Sequence, residues 1–529
     1  MDLHGKNIVG FELSAPGGKT FAGFDPRAGN GIPPDFHEAT ETEINRAVEL
    51  AAMAAEQLRT FDAERIADFL LAVRDEISAL GDTLLERAER ETALDQTRLK
   101  GERDRTLNQI KLFASIVKEG SWVDARIDPA VPDRKPLPRP DLRRMLQPIG
   151  PVAVFGASNF PLAFSVAGGD TISAFAARNP VIVKAHPAHP GTSELVAGAI
   201  ARAVKTKGMP EGTFSMLHGK APEMSIALVT HPELRAVGFT GSLRAGRALF
   251  DAAARRHHPI PVYAEMGSVN PVFILSGAVE TKSKDIADGL FRSATAGVGQ
   301  FCTCPGLVFA VENGGFRHLR EQVIDSFKQS SPATMLNPGI AAAYSGGFKK
   351  AAAAAGVETH TSTRSADPQH TEGQPGVFVT DANTWLRNHE LHEEIFGPAT
   401  ILIHCGSDSE LLAAAHALEG TLTASIHGTP DDLRRHAELV NILSRKAGRI
   451  IFNGFPTGVE VGYAMNHGGP YPATTDEKFT SVGATAIYRF ARPVCYQNFP
   501  ENLLPPELQD ANPRGIWRTV DGTLTKDPL

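Results

Sequence analysis

The octet "GQFCTCPG", residues 299–306, sets Cys302 and Cys304 one residue apart in a chain with only four cysteines. Three chemistries use thiols at such spacing: a metal clamp, a redox pair, and one nucleophile with a bystander. A structural zinc needs about four ligands in tetrahedral reach, and one C-x-C supplies two at most. Cys405 and Cys495 stand alone, so no paired spacing completes a thiolate set. The usual thioredoxin-like redox signal is C-x-x-C near a helix start, which this is not. Two small buried residues beside a turn is the structural alternative. The glycines of the octet and Gln300 bring a thiol close to backbone amide donors, where a thiolate or the oxyanion formed after its attack is stabilised. Nucleophilic catalysis therefore competes once a base and an electron acceptor are found.

Both have candidates. Glu265 in "YAEMGSVNP" follows a short β-like run and precedes a glycine turn, so its carboxylate projects from a strand end; a surface or ion-paired glutamate is the plainer explanation. "GFTGSLRAG", 238–246, puts Gly241 and Ser242 between a strand and a helix, whose first amides suit phosphate oxygens. Simple loop-to-helix geometry explains the same glycines, and the G-x-G-x-x-G signature is absent here.

These side chains act only if the elements position them. "PVAVFGA", "PVIVKA", "TFSMLHG", "RAVGFTG" and "NPVFIL" are apolar runs separated by helix-compatible segments, which predicts a parallel sheet with helices on both faces and chemistry at the carboxyl ends of its strands. A second alternation, from near 285 through "GLVFAVE", "GVFVTD", "ATILIHC", "TASIHG" and "GRIIFNG", predicts another α/β domain. Upstream, "IVGFEL" and "TFAGF" read as a strand pair, and Thr40 with Glu43 as a capping box opening a helix to about residue 58. The mainly helical region 40–120 holds no catalytic cluster in this reading. "DPAVPDRKPLPRP" is a proline-rich surface crossover, 341–370 reads as helix and loop, and "SVGATAIYRFARPVCYQNF" as extended β structure before a polar tail able to wrap a neighbour.

The chain has 529 residues, 42% of them hydrophobic, and a net charge of -7. That leaves room for several domains and provides no long-range field for nucleic acid or an anionic membrane. No apolar stretch is long enough to span a bilayer, and the sparse cysteines fit a reducing compartment, so a cytoplasmic protein is expected.

In order and spacing, "GASNFPLAF", "PVIVKAHPAHP", "GFTGSLRAG", "EMG", "GQFC" and "EEIFGP" resemble the aldehyde dehydrogenase superfamily from about residue 35 to 490, and "IFNGFPTGV" resembles its late active-site segment. The resemblance implies an α/β fold: a Rossmann-type cofactor domain (1–131 and 149–265), an α/β catalytic domain (266–480), a small β oligomerisation region (132–148 and 481–510) and a C-terminal tail (511–529). It implies that Cys302 attacks an aldehyde carbon, that Asn159 and the Cys302 amide hold the oxyanion, and that Glu265 activates water against the resulting thioester. Lys184, His186, Pro187, Gly241, Ser242, Arg244, Glu394 and Phe396 are then the cofactor contacts. Pro187 stands where many NAD-preferring relatives carry a glutamate that repels a 2'-phosphate, so NADP is expected, with NAD possible. Phe160, Phe301 and Phe455 are candidates for the tunnel wall, and Arg292 and Ser481 for donors to a substrate carboxylate; Cys304 is a bystander and no metal is expected. "AFSVAGGDTISAFAARNPVIVKAHPAHPGTSELV" and the ending "GGPYPATTDEKFTSVGATAIYRFARPVCYQNFP" are similar to the α-ketoglutaric semialdehyde (2,5-dioxopentanoate) dehydrogenase subgroup, with NADP-linked medium- or long-chain aldehyde dehydrogenases as the alternative. A homodimer or homotetramer, a small aldehyde substrate, and no nucleic-acid or membrane partner complete the expectation.

Overall fold

Strands such as Val152–Phe155 and Val181–Lys184 are short, apolar and buried throughout, the pattern of a sheet covered on both faces. The structure, a computed structural model, describes residues 3–529. Its first sheet runs in the order Val262–Glu265, Ala236–Thr240, Val152–Phe155, Val181–Lys184, Phe214–Leu217, Asn7–Val9, Glu12–Ser14. The first five strands are parallel, and succession leaves Val152–Phe155 in both directions. That reversal opens a crevice beyond the strand ends, where ligands of such sheets bind. Register puts Phe155 opposite Lys184 and Thr240 opposite Glu265 at that edge.

The second sheet has the order Glu358–Thr361, Gly376–Asp381, Ala399–Cys405, Leu307–Val311, Val272–Ile274, Thr421–His427, Ala447–Phe452. It is parallel except for Glu358–Thr361, a strand in the segment read from sequence as helix and loop. Two stacks of buried side chains cover its faces, one around Phe273, Phe309 and Trp385, the other around Phe316, Phe327 and Leu290.

Thr40 caps helix Glu41–Leu58 with both halves of the expected capping box, and Ile66, Phe69, Leu70, Val73 and Ile77 are buried on helix Ala63–Ser78. The N-terminal strand pairing differs from expectation. "IVGFEL" is itself a hairpin, Asn7–Val9 with Glu12–Ser14, while Thr20–Asp25 pairs with Asn30–His37, because Gly10 takes the positive φ of +58° that a two-residue turn needs. "ATAIYRF" closes into a 3₁₀ turn before strand Ala491–Gln497 instead of continuing as β structure. The small third sheet, Ala491–Gln497, Leu142–Pro148, Arg126–Asp128, Arg518–Val520, Thr523–Thr525, takes in residues outside the limits expected for it. Residues 511–529 are thus no loose tail: Arg518–Val520 lies parallel to Arg126–Asp128 of its own chain, and the Arg518 side chain is buried.

Candidate active site

Cys302 lies on the segment joining helix Ser276–Thr295 to strand Leu307–Val311, and the approach to it is contorted. Gly299 has φ +67°, and a Cβ there would lie 2.1 Å from the Gly397 carbonyl oxygen, so only glycine fits. Val298, β-branched, is held at φ +58°, a conformation costing about 1–3 kcal/mol that the surroundings must impose. The hold comes from two buried amides. Gln300 accepts from the Leu336 amide (3.0 Å) and donates to the Gly297 carbonyl (3.0 Å), and its own carbonyl accepts from Asn159 Nδ2 (3.0 Å). Asn270 Nδ2 donates to the carbonyls of Cys302 (2.9 Å) and Cys304 (3.0 Å), while its Oδ1 accepts from the hydroxyls of Ser268 and Thr423, both at 2.9 Å. Ser268 belongs to this network and also meets Thr421 Oγ1 at 2.6 Å.

Around the sulfur, three kinds of titratable atom converge. His467 Nε2 lies 3.6 Å from Cys302 Sγ and 2.9 Å from Glu265 Oε1, and Ser481 Oγ donates to Glu265 Oε2. His467 is pinned through its backbone: its amide donates to Thr480 Oγ1 (2.8 Å) and its carbonyl accepts from the Ser481 amide (2.8 Å). Burial pushes the Glu265 carboxyl up, but His467, Ser481 and the Cys302 thiol outweigh it and hold the group below the usual glutamate range. Burial, with the negative charges of Glu265 and Glu394, pushes the Cys302 thiol well up, opposed by the charge of Arg105. Cys302 is therefore a protonated thiol with a carboxylate beside it, an arrangement in which attack by the sulfur would need deprotonation at the same time. The three ligating atoms lie within 4.8 Å of one another, a donor set that would also suit a thiophilic cation.

The same sulfur borders a cavity of about 430 Å³ between the two large sheets. Asn159, Glu265 and Cys302 line it together with His186, Gly241, Ser242, Glu394 and Phe396. Ser242 caps helix Leu243–Ala254 by accepting from the Ala245 amide, so the helix start faces this space; the Gly241 amide is already spent on the Glu265 carbonyl oxygen (3.0 Å). Burial keeps His186 neutral, with its pKa well below the ordinary value, so it offers no charge to a phosphate. Burial also lowers Lys184 to about 8, opposed by Glu38, and raises Glu394 to about 7. A helix start and a carboxylate near the sulfur fit a nicotinamide dinucleotide, while Lys184, buried at its strand end, does not line the cavity. Pro187 is half-buried beyond Lys184, and Arg244 is exposed on the first helical turn and does not line the cavity.

Phe160 and Phe301 meet edge to face (centroids 5.4 Å apart), with the Arg98 guanidinium over both rings at 4.9 and 4.5 Å. Phe455 does not join them; it packs on His427 (4.6 Å) against the core of the second sheet. Arg292 is exposed in the last turn of helix Ser276–Thr295, and Ser481 is committed to Glu265, so neither is placed as a carboxylate donor. Cys304 is buried, points its thiol at the Ala294 carbonyl (3.6 Å) and is raised to about 12 by burial. All four cysteines are free.

Sequence reasoning missed His467, Asn270 and the contribution of helix Gln96–Glu119. That helix, in the region read as having no catalytic cluster, carries Arg98, Glu102 and Arg105 at offsets 0, 4 and 7, a spacing that marks one helix face. Arg98 donates to the Asn159 carbonyl (2.7 Å), and Glu102 accepts from the Leu162 and Ala163 amides (2.8 and 2.9 Å).

Fold and site together define a cysteine-dependent α/β enzyme with a dinucleotide-type crevice. Residues 14–478 match the aldehyde dehydrogenase family, and the chain belongs to that family. It is 48% identical over 525 residues to α-ketoglutaric semialdehyde dehydrogenase 2 of Azospirillum brasilense, covering 99% of each chain. It is 45% identical over 493 residues to α-ketoglutaric semialdehyde dehydrogenase of Acinetobacter baylyi, covering 93% of each. Among solved structures, betaine aldehyde dehydrogenase of Staphylococcus aureus superposes with a TM-score of 0.80 at 18% identity, covering 95% of this chain and 97% of that one, which bears on the fold alone. The activity is that of an NAD(P)-dependent aldehyde dehydrogenase working through a cysteine. Among the described residues no helix is long and apolar enough to cross a membrane.

Proposed function

We propose that the enzyme oxidises α-ketoglutaric semialdehyde to 2-oxoglutarate, with NADP as the preferred acceptor. The observation that carries the substrate is likeness over essentially the whole chain to proteins bearing that name, including the segments that surround the site. Cys302 adds to the aldehyde carbon as its proton passes to His467, directly or through Glu265; a C–S bond forms and the carbonyl π pair becomes an alkoxide. Asn159 Nδ2, which has a second N–H besides the one given to Gln300, and the Cys302 amide hold that oxygen. A bound nicotinamide would supply the hydride acceptor for this carbon, and Cys302 would then carry the acyl group as a thioester. Glu265 then takes a proton from the attacking water, and His467, 2.9 Å away, returns a proton to the departing sulfur. The helix start at Ser242, Glu394 and Phe396, which line the cavity, would hold the dinucleotide, with Lys184 at the neighbouring strand end; absence of a carboxylate at Pro187 favours the 2'-phosphate. We also propose that the third sheet, whose strand Ala491–Gln497 has one unpaired edge, joins subunits into a dimer or tetramer.

Initial rates with 2,5-dioxopentanoate, succinic semialdehyde and hexanal, each with NAD and NADP, test the substrate. The expected result is highest kcat/KM for the dioxo acid with NADP. A higher kcat/KM for hexanal contradicts it and supports the aliphatic alternative.

A further inference from the structure

A semialdehyde acid brings a carboxylate that must find cationic donors, and neither residue expected to supply them is placed to do so. Arg105 is. Its guanidinium sits 5.2 Å over the Phe164 ring, whose centroid is 6.2 Å from that of His467, the residue against Cys302. Nε donates to the Val459 carbonyl (3.4 Å) and so fixes the plane of the fork. Both terminal nitrogens, Nη1 and Nη2, are buried and have no hydrogen-bond partner among the described residues. Leaving two charged donors dry and unpaired is costly unless something else satisfies them.

The neighbouring cations are differently employed. Arg449 spends its ends on the carbonyls of Gly458 (3.2 Å) and Pro456 (2.9 Å). Arg98 gives Nη2 to the Asn159 carbonyl and leaves one donor, Nη1, unpartnered beside Gly297, so it offers a carboxylate one free end where Arg105 offers two. The acidic groups near Arg105 are Glu102, Glu265, Glu460 and the Cys302 thiol; none forms an ion pair with it among the described residues, and Glu102 is held by two backbone amides. What remains is a planar fork with two parallel vacant donors, the shape complementary to a carboxylate.

Resting on the function proposed above, we infer that Arg105 binds the distal carboxylate of a short oxo acid and so delivers its aldehyde end to Cys302. Arg105 thereby selects the acid semialdehyde over an aliphatic aldehyde of equal length, while the covalent chemistry stays with Cys302, Glu265 and His467.

The test compares kcat/KM for 2,5-dioxopentanoate and hexanal in the wild type, Arg105→Gln and Arg105→Lys, with glutarate as a competitive probe against hexanal. Arg105→Gln is expected to lower kcat/KM for the dioxo acid about 10- to 100-fold, mostly through KM, and to weaken glutarate inhibition alike. Hexanal turnover should fall much less, by the cost common to both substrates of losing the Arg105 charge that opposes the rise of the Cys302 thiol; an unchanged Tm shows that the variant folds, and Arg105→Lys, which keeps the charge, should recover part of the loss. Equal losses on both substrates, or unchanged glutarate inhibition, overturn the inference. The two readings fail separately: a wild type that favours hexanal, yet whose dioxo-acid to hexanal ratio collapses in Arg105→Gln, keeps the carboxylate site and ends the substrate assignment. A wild type that favours the dioxo acid with an unchanged ratio in the variant does the reverse.

Discussion

The chemistry turns on one imidazole nitrogen shared between a thiol and a carboxylate. Because His467 Nε2 touches both Cys302 Sγ and Glu265 Oε1, His467→Ala should lower kcat about 100-fold or more, the usual worth of a positioned acid–base group, and pre-steady-state kinetics should place the loss in thioester formation or hydrolysis. The Cys302 thiol titrates above the ordinary range because it is buried beside negative charge. Removing that charge makes the thiolate less costly, so the pH midpoint of Cys302 alkylation should lie lower in Glu265→Gln than in the wild type; a midpoint that stays or rises contradicts the geometry. Lys184, lowered to about 8, loses its charge as pH climbs through that value. NADP affinity should therefore weaken above about pH 8 more than NAD affinity does, and Lys184→Met should abolish the difference in a titration followed by cofactor fluorescence.

At the scale of elements, the nucleophile depends on a buried amide two elements away. Asn270→Ala leaves the Cys302 and Cys304 carbonyls and two hydroxyls short of partners, so about 3 kcal/mol of stability should be lost, visible as a lower Tm and a slower enzyme. The strands that end at Lys184, Thr240 and Glu265 were readable because a sheet buried on both faces demands uninterrupted apolar runs. Glu265 and Asn159 were readable because each sits beside a glycine-marked turn at such an end, and Cys302 because its octet is rich in glycine between a helix and a strand. His467 was not: it reaches the site from a loop about two hundred residues past Glu265, its backbone held by Thr480 and Ser481, and no local pattern records that contact. Arg105 and Glu102 left a periodic signal, but charged residues on a helix face ordinarily point to water. Here that face is turned inward against Phe160, Phe164 and the Asn159 loop.

Across the whole molecule, two α/β units meet at the cavity that Cys302 and Glu265 line, and the third sheet ends in two edge strands, Ala491–Gln497 and Thr523–Thr525. Light scattering should give two or four times the 56.6 kDa chain mass, and a fully active monomer would remove the reason for that sheet. The account as a whole rests on an acyl group carried by one sulfur. Intact-protein mass spectrometry of Glu265→Gln mixed with NADP and 2,5-dioxopentanoate tests this directly. The predicted result is one acyl adduct, mapped to Cys302, accumulating with one equivalent of NADPH and then stalling; steady turnover in Cys302→Ser, or NADPH formed with no adduct on the protein, would contradict it.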